Sequence, residues 1–146
     1  MQTTRPTPPG WPRISSSLAY QDPARAIDWL VRAFGFSVRV KVPDGDGGIR
    51  HSELTFGDAV VMVAGERPQP PMPARSPRSL DGANTQALFI YVDDIEAHYT
   101  QALSEGAVVA RALATTDYGA DYWTDRGYTV LDPEGHAWHF AQRLRP

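Results

Sequence analysis

Apolar and polar positions follow each other along the chain in a pattern that falls into two similar halves. In the first half, a short strand over residues 14–20 precedes a helix that starts at Asp22-Pro23 and ends at Gly35. Asp is a suitable N-cap, and proline is well tolerated at the first helical position. Three strands follow over residues 36–65, separated by turns rich in Gly and Asp. The first half therefore predicts the order βαβββ.

The second half repeats this order. Its predicted elements are a strand over 86–92, a helix capped by Asp93 or Asp94 and ended by Gly106, a strand over 107–114, a polar and aromatic loop over 115–126, and a hairpin over 127–142. One helix covers only one face of a four-stranded sheet, so each unit needs a second copy. The sequence therefore predicts an α+β fold in which two βαβββ modules pair into a cup-shaped sheet around a small ligand.

The domain boundaries follow from composition. Residues 1–12 are rich in Pro and Thr and are predicted to be a disordered tail. The remainder, 13–143, is predicted to be a single domain. It comprises a first module over 13–65, a linker over 66–84 that contains five prolines, and a second module over 85–143.

Composition and charge exclude several classes of partner. The formal net charge is -3 and no run of Lys or Arg stands out, so neither nucleic acid nor an anionic membrane is an expected partner. The chain has no cysteine, which excludes disulfides, thiolate metal sites and cysteine nucleophiles. No segment is typical of a signal peptide or a membrane span, and the expected location is the cytoplasm.

Aromatic residues mark the expected ligand site. Phe89 and Tyr91 share one strand face, and the 115–126 loop carries further aromatic and acidic side chains. Flat rings stack on planar ligands and carboxylates attract cations, so we expect a partly aromatic ligand with cationic character. The predicted ligand-binding residues are His51, Glu53, Phe89, Tyr91, Tyr118, Tyr122, Trp123 and His139.

Other conspicuous residues are expected to be structural. Trp29 and Trp138 should pack between helix and sheet, the latter because it alternates with His139. The turn Asp132-Pro133-Glu134-Gly135 should close a hairpin, with a solvated Glu134. His98 lies on the second helix and is expected to face outward.

Four segments carry a resemblance to a known family. They are "YQDPARAIDWLVRAFGF" (20–36), "RHSELTFGDAVVMV" (50–63), "FIYVDDIEA" (89–97) and "GYTVLDPEGHAWHF" (127–140). In order and spacing they resemble the vicinal oxygen chelate superfamily, which includes glyoxalase I, extradiol dioxygenases, fosfomycin-resistance enzymes and bleomycin-resistance proteins. The resemblance implies the paired-module fold and a homodimer. Its drug-binding members act by sequestering an antibiotic without catalysis.

The resemblance also implies where a metal would be held. Metal-dependent members take one ligand from each of four strands, and the matching positions here are Ser15, Glu53, Ala87 and His139. Alanine cannot bind a metal and serine is a poor ligand, so we expect no metal. The alternative is a facial set of His51, Glu53 and His139 that holds a divalent Zn, Ni, Mn or Fe ion.

These observations predict a glyoxalase/bleomycin resistance-like homodimer that binds a small, partly aromatic molecule in the cup or at the dimer interface, without a metal. Antibiotic sequestration is the expected role. One alternative is a metal-dependent lyase, isomerase or dioxygenase that uses His51, Glu53 and His139. A second alternative is metal-free acid–base chemistry, for which Glu53 and His139 are the candidate catalytic residues.

Overall fold

The computed structural model describes residues 5–146, and residues 1–4 of the predicted tail lie outside the described part. The strands are β1 (Ser16–Tyr20), β2 (Ser37–Pro43), β3 (Ile49–Phe56), β4 (Ala59–Gly65), β5 (Leu88–Tyr91), β6 (Val108–Asp117), β7 (Thr124–Leu131) and β8 (Ala137–Arg145). The α-helices are α1 (Pro23–Phe34) and α2 (Ile95–Ser104). Within residues 5–146, neither helix has the length and apolar character needed to cross a membrane.

The two sheets have the same topology. Their strand orders are β1-β4-β3-β2 and β5-β8-β7-β6, with a parallel pair formed by the first and last strand of each module. The predicted α+β fold is confirmed: two βαβββ modules lie in a cup-like arrangement.

Local chemistry sets the ends of the helices as predicted. Asp22 caps α1 by accepting a hydrogen bond from the amide of Arg25 at 3.1 Å, and Gly35 ends the helix with a φ of 84°. For α2 the cap is Asp94, whose carboxylate accepts from the amide of Ala97 at 3.1 Å. The sequence had left this cap open between Asp94 and its neighbour.

The predicted loop over 115–126 is wrong for half of its length, because residues 115–117 and 124–126 belong to strands. β6 continues to Asp117 and β7 begins at Thr124, and the two strands remain paired up to that point. Only residues 118–123 form the tip of a long hairpin. Backbone pairing does not require an apolar residue at every second position, and the side chains of β6 are mostly exposed. The usual apolar alternation is therefore missing from this part of the strand.

Segments outside the sheets also make specific contacts. In the linker, residues Pro77–Leu80 form a short 3-10 helix, and Arg67 pairs with Ala74 through two backbone hydrogen bonds of 2.9 and 2.7 Å. In the described part of the tail, the amide of Trp11 donates to the carbonyl of Pro8 at 3.1 Å. This turn lies against the first sheet.

The core is built from rings that both modules contribute. Phe34 at the end of α1 is central: its ring centroid lies 4.9 Å from that of Trp29, 5.2 Å from that of Trp138 and 4.7 Å from that of Phe140. All four side chains are buried. The prediction that Trp29 and Trp138 are packing residues is confirmed.

His98 is not on the outside as predicted. Its ring lies between α2, α1 and β7, with Nδ1 2.6 Å from the hydroxyl of Tyr128 and Nε2 2.9 Å from the carbonyl oxygen of Phe34. Burial lowers the pKa of His98, which favours the neutral ring. The side chain of Tyr128 places a hydroxyl in the core, and the imidazole of His98 is its hydrogen-bond partner there.

Glu134 is buried, which corrects the prediction that it is solvated. Its carboxylate accepts hydrogen bonds from the amides of Gln21 at 2.6 Å and Asp22 at 2.9 Å, and from the hydroxyl of Ser76 at 2.7 Å. These donors come from the first module and the linker, far away in sequence. The turn of the last hairpin therefore ties three parts of the chain together.

Candidate ligand-binding site

On the first module, the side of the sheet opposite α1 carries a chain of polar contacts. His51 and Glu53 alternate along β3 and share this face, with His51 Nε2 2.7 Å from Glu53 Oε2. Arg39, on the neighbouring strand β2, donates to Glu53 Oε1 at 2.9 Å. The hydrogen bonds from His51 and Arg39 hold the pKa of Glu53 below its usual range. Glu53 is therefore an ion-paired carboxylate.

Trp11 completes this group, and the sequence analysis missed it together with Arg39. The guanidinium carbon of Arg39 lies 4.8 Å from the centroid of the Trp11 ring, and Arg39 Nη1 donates to the carbonyl of Gly10 at 2.5 Å. In the β2–β3 ladder Glu53 lies opposite Val40, and the register is irregular at Arg39, so regular strand alternation does not predict the Arg39–Glu53 pair. Nothing in the local sequence indicated that Trp11 would fold back onto the sheet.

On the second module, the corresponding face carries one row of side chains in register across all four strands. Phe89 on β5 lies opposite His139 on β8, His139 lies opposite Thr129 on β7, and Thr129 lies opposite Arg111 on β6. His139 Nδ1 is 2.7 Å from the hydroxyl of Thr129. The rings of Phe89 and His139 are stacked, with centroids 6.5 Å apart and planes 28° apart.

The neighbours of His139 determine its protonation state. Partial burial lowers the pKa of His139, and the positive charge of Arg111 lowers it further. The ring is therefore neutral at pH 7. Among residues 5–146, none pairs with His139 Nε2, so one polar atom of this ring is available to a ligand.

A second group lies next to this row, between β5, β7 and β8. The guanidinium carbon of Arg143 is 5.1 Å from the ring centroid of Tyr91 and 4.7 Å from that of Trp123. Arg143 Nε donates to Asp125 at 2.5 Å, and the hydroxyl of Tyr91 donates to Asp125 at 3.0 Å. The ion pair holds two exposed aromatic rings in fixed orientations, because each ring faces the same guanidinium.

The tip of the β6–β7 hairpin extends the aromatic surface. Tyr118 and Tyr122 flank Trp123, with ring centroids 6.1 and 6.0 Å from that of the indole. The acidic residue at the base of the tip, Asp117, accepts a hydrogen bond from Arg145 at 2.8 Å. Asp117 and Asp125 are each paired with an arginine, whereas Asp121 at the tip forms no ion pair with any of residues 5–146.

A cavity of about 880 Å³ lies over the other end of the first sheet, between β1, β3 and β4 and the linker. His51 and Met62 line it from the sheet, and Met72 and Leu80 line it from the linker. The volume is within the range of sites for small organic molecules. The linker is thus one wall of a cavity in addition to connecting the two modules.

The residues present do not fit a metal. Among residues 5–146, no three His, Cys, Asp or Glu side chains lie close enough together to hold one. His51 and Glu53 are adjacent, but the carboxylate of Glu53 is already ion-paired with the guanidinium of Arg39. His139 belongs to the other sheet and is paired with Thr129. A single chain therefore does not assemble the alternative set of His51, Glu53 and His139.

The predicted ligand-binding residues thus form two groups in the structure. The first contains His51 and Glu53, and the second contains Phe89, Tyr91, Tyr118, Tyr122, Trp123 and His139. Sequence reasoning also missed Arg111, Asp125 and Arg143, which occupy register positions on the second face.

Comparison with known proteins places this fold in a family. The model of the glyoxalase/bleomycin resistance protein/dioxygenase superfamily matches residues 13–140, and the chain belongs to that family. Uncharacterized proteins of Mycobacterium bovis and Mycobacterium tuberculosis are 34% identical to it over 135 residues. The match covers 92% of this chain and 85% and 76% of those relatives, respectively.

Solved structures share the architecture. TioX from Micromonospora sp. ML1 is 33% identical, with a TM-score of 0.68, and the match covers 90% of this chain and 95% of TioX. TnmS3 from Streptomyces sp. CB03234, an antibiotic binding protein, is 20% identical, with a TM-score of 0.63 and coverage of 88% and 93%. At this lower identity the likeness is one of fold.

Proposed function

We propose that this protein binds a small, planar, partly aromatic molecule on the uncovered face of its second sheet, and that it acts by sequestration without a metal. The observation that carries the proposal is the exposed aromatic surface. Phe89, Tyr91 and Trp123 are 56%, 48% and 39% exposed, although large aromatic side chains are normally covered. Two of them are held in place by Arg143, so the surface is preorganised for stacking.

Antibiotic sequestration is the role we propose for this binding. The family includes bleomycin-resistance proteins, and the structural neighbour TnmS3 is an antibiotic binding protein. That neighbour supports the idea that this architecture can hold an antibiotic, but the ligand chemistry here rests on the residues of this chain. The proposed location is the cytoplasm, where a sequestering protein would meet a drug that has entered the cell.

We also propose that the working form is a homodimer. In one chain the ion-paired group around Glu53 lies on the open face of the first sheet, and the aromatic group around Trp123 lies on that of the second. A second copy that covers the exposed rings would close the site and remove apolar surface from water. Partner residues would then line the ligand opposite Phe89 and Tyr91.

The test is a titration with antibiotics that carry a planar aromatic group, for example doxorubicin and bleomycin. Binding is measured by isothermal calorimetry and tryptophan fluorescence. For a ligand that binds, Trp123→Ala should weaken affinity about tenfold, because a lost aromatic stack costs about 1–1.5 kcal/mol. Trp123→Phe should keep most of the affinity and lose most of the fluorescence change. Val31→Ala is the control, since Val31 is an exposed apolar residue on α1, away from both open sheet faces.

The proposal is wrong if none of the antibiotics binds while the protein turns over some substrate. It is also wrong for this face if a ligand binds and Trp123→Ala binds it as tightly as the unchanged protein does. Sedimentation of the protein at micromolar concentration tests the dimer separately, and a monomer that binds ligand with full affinity would exclude the shared site.

A further inference from the structure

The row of side chains across the second sheet ends in an unpaired cation. Arg111 lies on the edge strand β6, opposite Thr129, and its side chain forms no hydrogen bond or ion pair with any residue of 5–146. The three other arginines of the second sheet each form an ion pair with a carboxylate on the sheet or on α2. They are Arg126 with Glu96, Arg143 with Asp125 and Arg145 with Asp117.

This pattern assigns a charge preference to the face. Each paired arginine is neutralised by its carboxylate, so the net positive charge available to a ligand is concentrated at Arg111. His139, two strands away in the same row, adds no charge because its ring is neutral at pH 7. An anion that reaches Arg111 would therefore meet a free guanidinium without displacing an existing ion pair.

The rest of the row supplies a flat, partly apolar surface. Phe89 is 56% exposed and stacked against His139, whose Nε2 has no partner among the described residues. Strand spacing puts the backbone positions of Phe89 and Arg111 about 14 Å apart, as three intervals of about 4.8 Å. The long arginine side chain can shorten this span, so a fused aromatic system with one acidic group fits along the row.

We propose that the preferred ligand is a planar aromatic acid, whose rings lie on Phe89 and His139 and whose anionic group binds Arg111. This inference rests on the proposed function and narrows it to a ligand class. It reverses the charge that the acidic residues of the sequence had indicated. No covalent step is involved.

The test compares 2-naphthoate with 2-naphthamide, which have the same rings but differ in charge. Calorimetry at pH 8 and low ionic strength should show naphthoate binding about fivefold more tightly, the upper range for an exposed ion pair. Arg111→Ala should remove this preference, mainly by weakening the binding of naphthoate, while Arg111→Lys should keep part of it. In 1 M NaCl the preference should largely disappear, because the Debye length falls to about 3 Å.

Arg25→Ala is the matched control, since Arg25 is an exposed arginine on α1, on the opposite side of the sheet. It should leave both affinities unchanged. The inference is overturned if the unchanged protein binds acid and amide equally, if Arg111→Ala keeps the preference, or if neither compound binds at millimolar concentration. Equal binding of both compounds, weakened by Phe89→Ala, would remove the acid preference while supporting the aromatic face. The antibiotic titration decides the proposed function independently.

Discussion

Replacing Asp132 with alanine should be among the most destabilising single changes in this protein. The side chain is buried, and its carboxylate accepts four hydrogen bonds. The donors are the hydroxyl of Tyr20 at 2.6 Å, the indole nitrogen of Trp138 at 3.0 Å, and the amides of Glu134 at 3.0 Å and His136 at 3.1 Å. Tyr20 belongs to the first module, so this residue also joins the two halves of the protein.

The magnitude follows from the donors that are left behind. A buried donor without an acceptor costs roughly 1–3 kcal/mol, and Asp132→Ala leaves two side-chain donors of Tyr20 and Trp138 in that state. We expect a loss of about 4 kcal/mol in the free energy of unfolding, which is a large part of the stability of a typical domain. Urea denaturation followed by circular dichroism measures it, and Asp93→Ala, at an exposed position, should change it by less than about 0.5 kcal/mol.

A double-mutant cycle tests the reason for the loss. In the unchanged protein, Tyr20→Phe removes one donor from Asp132 and should cost about 1–2 kcal/mol. In the Asp132→Ala background the same change removes an orphaned hydroxyl, so it should be neutral or stabilising. The reasoning is refuted if Tyr20→Phe costs the same in both backgrounds, or if Asp132→Ala costs less than about 1 kcal/mol.

Two further predictions concern pH and packing. The pKa of His98 in the folded state lies below its unfolded value near 6.5, so its contribution to stability is complete above that pH and is lost as the pH falls. His98→Gln should therefore reduce the change in the free energy of unfolding between pH 8 and pH 5, measured by urea denaturation. Gly127→Ala should cost about 1–3 kcal/mol, because its Cβ would lie 2.6 Å from the carbonyl oxygen of Phe140, whereas Gly65→Ala should be nearly neutral by the same assay. Equal slopes for His98→Gln and the unchanged protein, or equal costs at the two glycines, would contradict these expectations.

Local chemistry in the sequence was enough to predict most of the fold. Asp22, Pro23 and Gly35 mark the first helix because capping and left-handed termination depend on residues within a few positions of each other. The prediction failed where pairing or burial depended on distant residues. The strands on either side of the 118–123 tip are held by each other, and Glu134 is buried because its donors come from elsewhere in the chain.

The candidate site was predictable to a similar extent. Alternation along single strands correctly placed His51 with Glu53, and Phe89 with Tyr91, on common faces. It could not reveal Arg111, because its position beside Thr129 and His139 depends on a register irregularity between β6 and β7. The same limit applies to charge: the carboxylates were visible in the sequence, but the arginines that neutralise them lie on other strands.

The hydrogen bonds of Glu134 also bear on how the chain folds. The amides of Gln21 and Asp22, at the entry to the first helix, find their acceptors 113 and 112 residues further along the chain. The carbonyl of Ala19 is likewise met by the ring of His136, at a separation of 117 residues. Contacts of such high sequence separation slow folding, because a long loop must close before they form. The contacts around the last hairpin are shared by both modules, so we expect the two modules to unfold together despite the internal repeat.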